Sequence, residues 1–293
     1  MRVFALVFLL LMSFFSIAQA AMIKVSNDLD IHYESSGQGE NVILLVPGWT
    51  MSTEVYAHQL EHFKDSKDYK LIVIDPRSQG LSTHTVEGNF YEQHGRDIAD
   101  FMKALDLHNV VLGGWSYGGF DILAYVHQFG TDNLKGFIMM DSVPKCLGGD
   151  DPKHSSDWYW FTSDGSDGVR EHFTQGVLLR REQLNDEFAR YMVDNPHPEY
   201  IKWITRISNQ TGDGVAALLN ESGSYQNYET DLKGMEGKVP LFYYMSQKSQ
   251  RVDEWSKINT PSATIVKFGK HLSFWEYPEH FNDALDKFLT DIK

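Results

Sequence analysis

The chain has 293 residues, 42% of them apolar and 23% charged, with one cysteine, Cys146. This composition excludes a disordered, collagen-like or disulfide-stapled protein and leaves a globular chain whose stability comes from packing. Lys+Arg 26 against Asp+Glu 40 gives a formal net charge of −14, and no stretch gathers the basic residues into a stripe that could neutralise a run of phosphates, so nucleic acid is excluded as a partner.

Residues 1–20 read as an export signal: Arg2 supplies the charged start, Val3 to Ile17 the apolar run, and Ala18-Gln19-Ala20 the small-x-small ending. Cleavage is expected after Ala20, giving a secreted or periplasmic protein. An apolar run of about 15 residues, broken by Ser13 and Ser16, falls short of the roughly 20 that span a bilayer, so no stable membrane insertion is expected. Beyond it no Pro/Ser/Gly-rich linker divides the chain, and one domain carrying an insertion is the expected organisation.

Continuous apolar runs bounded by turn residues come next. Asn41 to Val46 precedes Pro47-Gly48, Leu71 to Ile74 precedes Asp75-Pro76, and Val110 to Leu112 precedes Gly113-Gly114. Such runs suit strands covered on both faces. Between the second and third, Tyr91 to Leu107 places Ile98, Phe101, Met102 and Leu105 at helical spacing. His58-Gln59-Leu60-Glu61-His62, in the helical stretch before the second run, matches the H-x-x-E-H zinc pattern, but it is read as a solvated helix face and no metal is expected. Strands alternating with helices imply a parallel sheet with right-handed crossovers.

Gly114-Trp115-Ser116-Tyr117-Gly118 follows the third strand and precedes the apolar helical stretch Phe120 to Phe129. A serine on a tight strand-to-helix turn needs small neighbours and gains a helix N-terminus aimed at developing negative charge, which makes Ser116 a candidate nucleophile. Another strand is expected at Gly136 to Met140, ending on Asp141. From Lys145 to Lys238 the rhythm breaks into a polar, helical, aromatic segment with Trp158-Tyr159-Trp160-Phe161, Phe173, Phe188, Tyr191, Tyr200 and Trp203, read as a lid. Trp115, beside the nucleophile, and Trp158 and Trp160 in the lid are the candidate substrate-binding residues. Asn209-Gln210-Thr211 and Asn220-Glu221-Ser222 are glycosylation sequons only in a eukaryotic source. Strands are expected again at Val239 to Tyr244 and Ala263 to Phe268, and a final helix at Pro278 to Ile292. His271, on the loop between the last two, is the candidate base for Ser116; the other eleven histidines are mostly read as surface residues.

Together these residues resemble the α/β-hydrolase superfamily, whose serine esterases, lipases and lactonases carry a helical cap. Asp75-Pro76-Arg77-Ser78-Gln79-Gly80-Leu81-Ser82 is similar to its D-x-R-G-x-G-x-S turn, with Ser78 where glycine is usual, and Gly269-Lys270-His271 with Trp275 to Phe281 is similar to its terminal segment. The resemblance implies an α/β fold with a mostly parallel eight-stranded sheet flanked by helices. It places the core at 21–144 and 239–293, and a cap at 145–238 inserted after the sixth strand. Where the family usually has His-Gly after the third strand this chain has Pro47-Gly48, and the matching oxyanion donors are the backbone N–H groups of Trp49 and Tyr117. The acid usual after the seventh strand is replaced by Ser249, which cannot supply the charge. Some members carry it after the sixth strand, which selects Asp141, with Asp253 and Glu254, on the loop after the seventh, as alternatives.

The implied function is a secreted serine hydrolase that cleaves a carboxylic ester or lactone with an apolar group through an acyl-enzyme on Ser116, without metal or cofactor. Its partner is a small molecule. The same three residues also suit cofactor-free perhydrolase or haloperoxidase chemistry, C–C hydrolysis or a lyase reaction. A non-catalytic small-molecule binder is the remaining alternative, favoured by the serine at 249.

Overall fold

A computed structural model describes residues 19–148, 157–160, 168–249 and 251–293. The apolar runs become the centre of an eight-stranded sheet because they have no polar face to turn to water. These strands are β3 (Asn41–Val46), β4 (Tyr69–Ile74), β5 (Val110–Trp115), β6 (Leu134–Met140), β7 (Leu241–Met245) and β8 (Thr264–Lys267). They pair in parallel, and β5 is buried along its whole length. Two antiparallel strands, β1 (Gln19–Lys24) and β2 (Asp30–Ser36), complete the order β1-β2-β4-β3-β5-β6-β7-β8. The mostly parallel sheet expected from the sequence is the one observed.

β1 begins at Gln19, so the two residues before the expected cut, Gln19 and Ala20, pair with Ser35 and Glu34. The rest of the expected signal, residues 1–18, lies outside the described residues.

Helices cover both faces of the sheet. On one, α2 (Tyr91–Ala104) and α3 (Gly118–Phe129) bury Ile98, Phe101, Met102, Phe120 and Leu123 against the sheet. On the other, α1 (Ala57–Phe63) and α11 (Pro278–Asp291) bury Leu60, Phe63, Phe281, Leu285 and Phe288. The expected spacing of apolar residues in 91–107 is what seats α2. The H-x-x-E-H residues of α1 diverge: His62 Nε2 lies 3.0 Å from Asp286 Oδ2, while the His58 ring packs against Trp275.

Between β6 and β7 the described residues form α4 (Val169–Leu179), α5 (Arg181–Met192), α6 (Pro198–Ser208), α7 (Asp213–Ser224) and α8 (Glu229–Gly234). They are called the cap below. Phe161 lies outside the described residues. The buried Lys145 ammonium clasps the start of this segment to its end, 2.5 Å from Asp157 and 3.0 Å from Glu229. After β7 come α9 (Arg251–Asn259) and, beyond β8, the single turn α10 (Ser273–Glu276). Among the described residues no helix is long and apolar enough to cross a membrane.

The D-x-R turn is a structural hub. Asp75 accepts hydrogen bonds from the Thr53 and Leu81 N–H groups and pairs with His32, while Arg77 forms a bidentate pair with Asp97 at 2.8 Å on each arm. Ser78, at the place where glycine is usual, adopts φ +61°, so the turn keeps the glycine geometry without the glycine. His32 and His94 correct the surface reading of the remaining histidines: both are buried, each against an aspartate, Asp75 and Asp121, at 2.8 Å.

Candidate active site

Three connections at the carboxyl edge of the sheet converge on one point. The first is the turn between β5 and α3, where Ser116 takes φ +55°, a left-handed backbone that strains a non-glycine residue and lifts its side chain out of the sheet. The turn is pinned from below: the Ser116 N–H donates to the Met140 carbonyl at 2.9 Å and the Ser142 hydroxyl to the Ser116 carbonyl at 2.7 Å. Space for it exists because two neighbours lack side chains. A Cβ on Gly48 would sit 2.8 Å from Ser116 Cβ, and one on Gly118 would strike the carbonyls of Val46 and Pro47 at 2.5 Å.

The second connection follows β8. Gly269, at φ +57°, turns the chain so that His271 faces Ser116, with Nε2 3.0 Å from Ser116 Oγ. Trp115 holds this loop from beneath. Its indole N–H donates to the His271 carbonyl at 2.8 Å, and its ring packs 5.1 Å from the imidazole and 5.3 Å from Phe274. Trp115 is therefore not a cavity wall as expected. Its side chain, 1% exposed, turns under the loop into the core, where it supports His271.

The third connection follows β6 and brings Asp141, with φ +38°, to the other side of the imidazole. Its Oδ2 lies 2.6 Å from His271 Nδ1. An ionised carboxylate only accepts, so Nδ1 carries the proton and Nε2 is free to accept from the serine hydroxyl. Oδ1 accepts from the Ser246 N–H at 2.9 Å and from the Ser249 hydroxyl at 3.1 Å. Burial alone would push the Asp141 carboxyl up. The hydrogen bond to His271, the imidazole's charge and the two Ser246 contacts outweigh burial and hold the carboxyl below the usual carboxylate range.

Asp253 and Glu254 are not brought to the site. They lie on the exposed first turn of α9, not on a loop, and Asp253 pairs with Lys267 at 2.5 Å. Ser249 does not replace the acid but donates to it, a role that its position after the seventh strand does not signal.

The backbone N–H groups of Trp49 and Tyr117, expected as oxyanion donors, flank Ser116 on the β3 and α3 sides. Neither donates to an acceptor among the described residues. Tyr117 is the residue before the first turn of α3, where backbone N–H groups have no intrahelical partner.

Above these groups lies a cavity of about 730 Å³, a size typical of small-molecule sites. Trp49, Phe173, Leu184 and Phe188 form its apolar end, with Phe173 and Phe188 edge-on to Trp49. Trp158 and Trp160 are among its lining residues. Trp158 is wedged against Tyr243 and Trp255, and Trp160 stacks on Tyr117 at 5.4 Å. Tyr191 completes the wall near His271. The other aromatic residues of the cap divide differently: Tyr200 and Trp203 pack on Trp275, away from the cavity. Among the described residues no group of three or more His, Cys, Asp or Glu side chains is placed to hold a metal ion. The one thiol, Cys146, is buried and its pKa is pushed up by burial.

The family model described as the alpha/beta hydrolase fold matches residues 41–254. The chain is 29% identical over 214 residues to the non-heme chloroperoxidase CPO-A1 of Kitasatospora aureofaciens, covering 70% of this chain and 73% of that protein. Its fold is similar to that of a bromoperoxidase from Bacillus anthracis, with a TM-score of 0.79, 23% identity and coverage of 93% of this chain and all of the other. An esterase from Exiguobacterium antarcticum is similar to the same extent of chain, with a TM-score of 0.76 and 21% identity.

Proposed function

The chain belongs to the α/β-hydrolase fold family, and on that premise we propose that it is a serine hydrolase cleaving a small carboxylic ester or lactone through an acyl-enzyme on Ser116. The observation that carries this reading is the unbroken line from Ser116 Oγ through His271 to Asp141 Oδ2, 3.0 and 2.6 Å, opening into a cavity with an apolar end. His271 Nε2 takes the serine proton as Oγ attacks the carbonyl carbon. Asp141 orients the ring and balances the imidazolium, and the N–H groups of Trp49 and Tyr117 receive the negative oxygen. The imidazolium then returns the proton to the leaving alkoxide, and a water activated by His271 releases the acid.

The apolar end formed by Trp49, Phe173, Leu184 and Phe188 suits an acyl or alkyl group of modest size. The chloroperoxidase relative favours a second reading of the same site, in which hydrogen peroxide replaces water in the second step and the acid leaves as a peracid. The reading also includes export, with cleavage after Ala20. Steady-state turnover of short-chain p-nitrophenyl esters by the wild type and by Ser116→Ala tests the hydrolase. A wild-type rate no higher than the variant's contradicts it, and peracid formation that outpaces ester hydrolysis in added peroxide selects the second reading.

A further inference from the structure

The loop after β3 that carries Trp49 is bonded to the cap at two consecutive residues. The Trp49 indole N–H donates to the Ala216 carbonyl of α7 at 2.8 Å. The next residue, Thr50, has its hydroxyl 3.0 Å from that of Ser208, the last residue of α6. Ser208 gives its own proton to Asn185 Oδ1 at 3.1 Å, so the Thr50 hydroxyl is the donor in the pair. Ser208 is itself gripped from α5: Arg181 Nη2 lies 2.6 Å from its carbonyl and 3.0 Å from its hydroxyl. Helices α6 and α7 thus bond one short stretch of loop directly, and α5 grips it through Ser208.

That stretch is also strained. Thr50 takes φ +60°, and a β-branched residue in the left-handed region persists only where its surroundings hold it. It is 1% exposed. A turn closes behind it, with the Met51 N–H donating to the Gly48 carbonyl at 3.1 Å, and Gly48 is pressed against Ser116. The Trp49 peptide is therefore fixed between Ser116 on one side and the cap on the other.

Resting on the reading above, in which the Trp49 N–H is an oxyanion donor, we propose that the α6–α7 corner of the cap aims that donor, with Thr50 and Ser208 as positioning residues. The cap then contributes to the chemical step as well as enclosing the substrate. Because the oxyanion contact strengthens in the transition state, loosening these bonds to the cap lowers kcat while KM, set by the cavity lining, stays near its value.

The experiment measures kcat, KM, thermal midpoint and the affinity of an alkyl trifluoromethyl ketone, whose adduct with Ser116 places an oxyanion at the donors. The proteins are the wild type, Thr50→Ser, Thr50→Val, Thr50→Gly, Ser208→Ala and the Thr50→Val/Ser208→Ala pair. Thr50→Val, Thr50→Gly and Ser208→Ala are each expected to lower kcat about tenfold or more, with KM within about twofold. Ketone affinity should fall by the same factor as kcat. Thr50→Ser, which keeps the hydroxyl, should stay near wild type, and the double variant should lose no more than the worse single one. Thr50→Gly relieves the strained φ, so its midpoint should hold or rise while kcat falls, an outcome that a merely structural threonine does not give. Unchanged kcat in an active, folded Ser208→Ala or Thr50→Val protein overturns the proposal, as does a loss that appears as raised KM or only follows lost stability. A wild type that neither turns over esters nor is labelled at Ser116 by a fluorophosphonate overturns the hydrolase reading itself, and the proposal with it.

Discussion

Asp141→Asn isolates the tautomer of His271 without changing the size of the side chain. In the native site Oδ1 is held by the Ser246 N–H at 2.9 Å and the Ser249 hydroxyl at 3.1 Å, two donors that an amide oxygen satisfies and an amide NH2 does not. The asparagine is therefore oriented with its NH2 toward His271 Nδ1, where the native carboxylate oxygen stands at 2.6 Å. A donor facing Nδ1 forces the ring proton onto Nε2, which then donates toward Ser116 Oγ and can no longer accept its proton. The expected loss in kcat is on the order of 10⁴-fold, or about 5 kcal/mol of transition-state stabilisation, with little change in KM. The assay is steady-state turnover of p-nitrophenyl butyrate near neutral pH, with circular dichroism to confirm the fold. A companion variant moves the charge: adding Ser249→Asp to Asp141→Asn places a carboxylate on the loop after β7 and should recover about tenfold or more. Retention of more than about a tenth of wild-type activity by Asp141→Asn refutes the tautomer argument.

Three further outcomes follow from the geometry. The Asp141 pKa is depressed on folding, so its stabilising contribution is complete above the unfolded carboxyl value and is lost as pH falls through the folded one; thermal midpoints of wild type and Asp141→Asn should converge in strong acid, and a gap that widens there opposes this. Gly48→Ala drives a methyl group to 2.8 Å from Ser116 Cβ and should lower kcat about a hundredfold, which turnover of the folded variant checks. Arg77→Ala leaves the buried Asp97 without its bidentate partner and should cost about 3–5 kcal/mol in urea unfolding, while Arg77→Lys, lacking the planar fork, should recover only part.

What the sequence made legible was local. Ser116 stands out because a strand, a G-x-S-x-G turn and a helix follow one another within a few residues, and the short apolar runs of β3, β4 and β5, bounded by turn residues, suit strands covered on both faces. Asp141, the first polar residue after an apolar run, is singled out only together with the family resemblance, which places the acid of some members after the sixth strand. The two antiparallel strands β1 and β2 carry too many polar residues for that signal. Contacts made through space left no trace. Ser249 supports Asp141 across 108 residues, Thr50 meets Ser208 across 158, and the partners of His32 and His94 lie 43 and 27 residues away. A tryptophan beside a nucleophile, such as Trp115, reads equally well as cavity wall or as floor, and only the position of the His271 loop decides between them. Nothing in the sequence marks Thr50 as left-handed, since threonine is among the residues least suited to that backbone.

A covalent acyl-enzyme on Ser116 is tested by intact-protein mass after rapid acid quench of the protein mixed with excess p-nitrophenyl butyrate, followed by peptide mapping. A mass increase of one butyryl group on the peptide containing Ser116, appearing with the first burst of p-nitrophenol and absent from Ser116→Ala, is the predicted result. Turnover with no adduct, or with the acyl group on another residue, would contradict it.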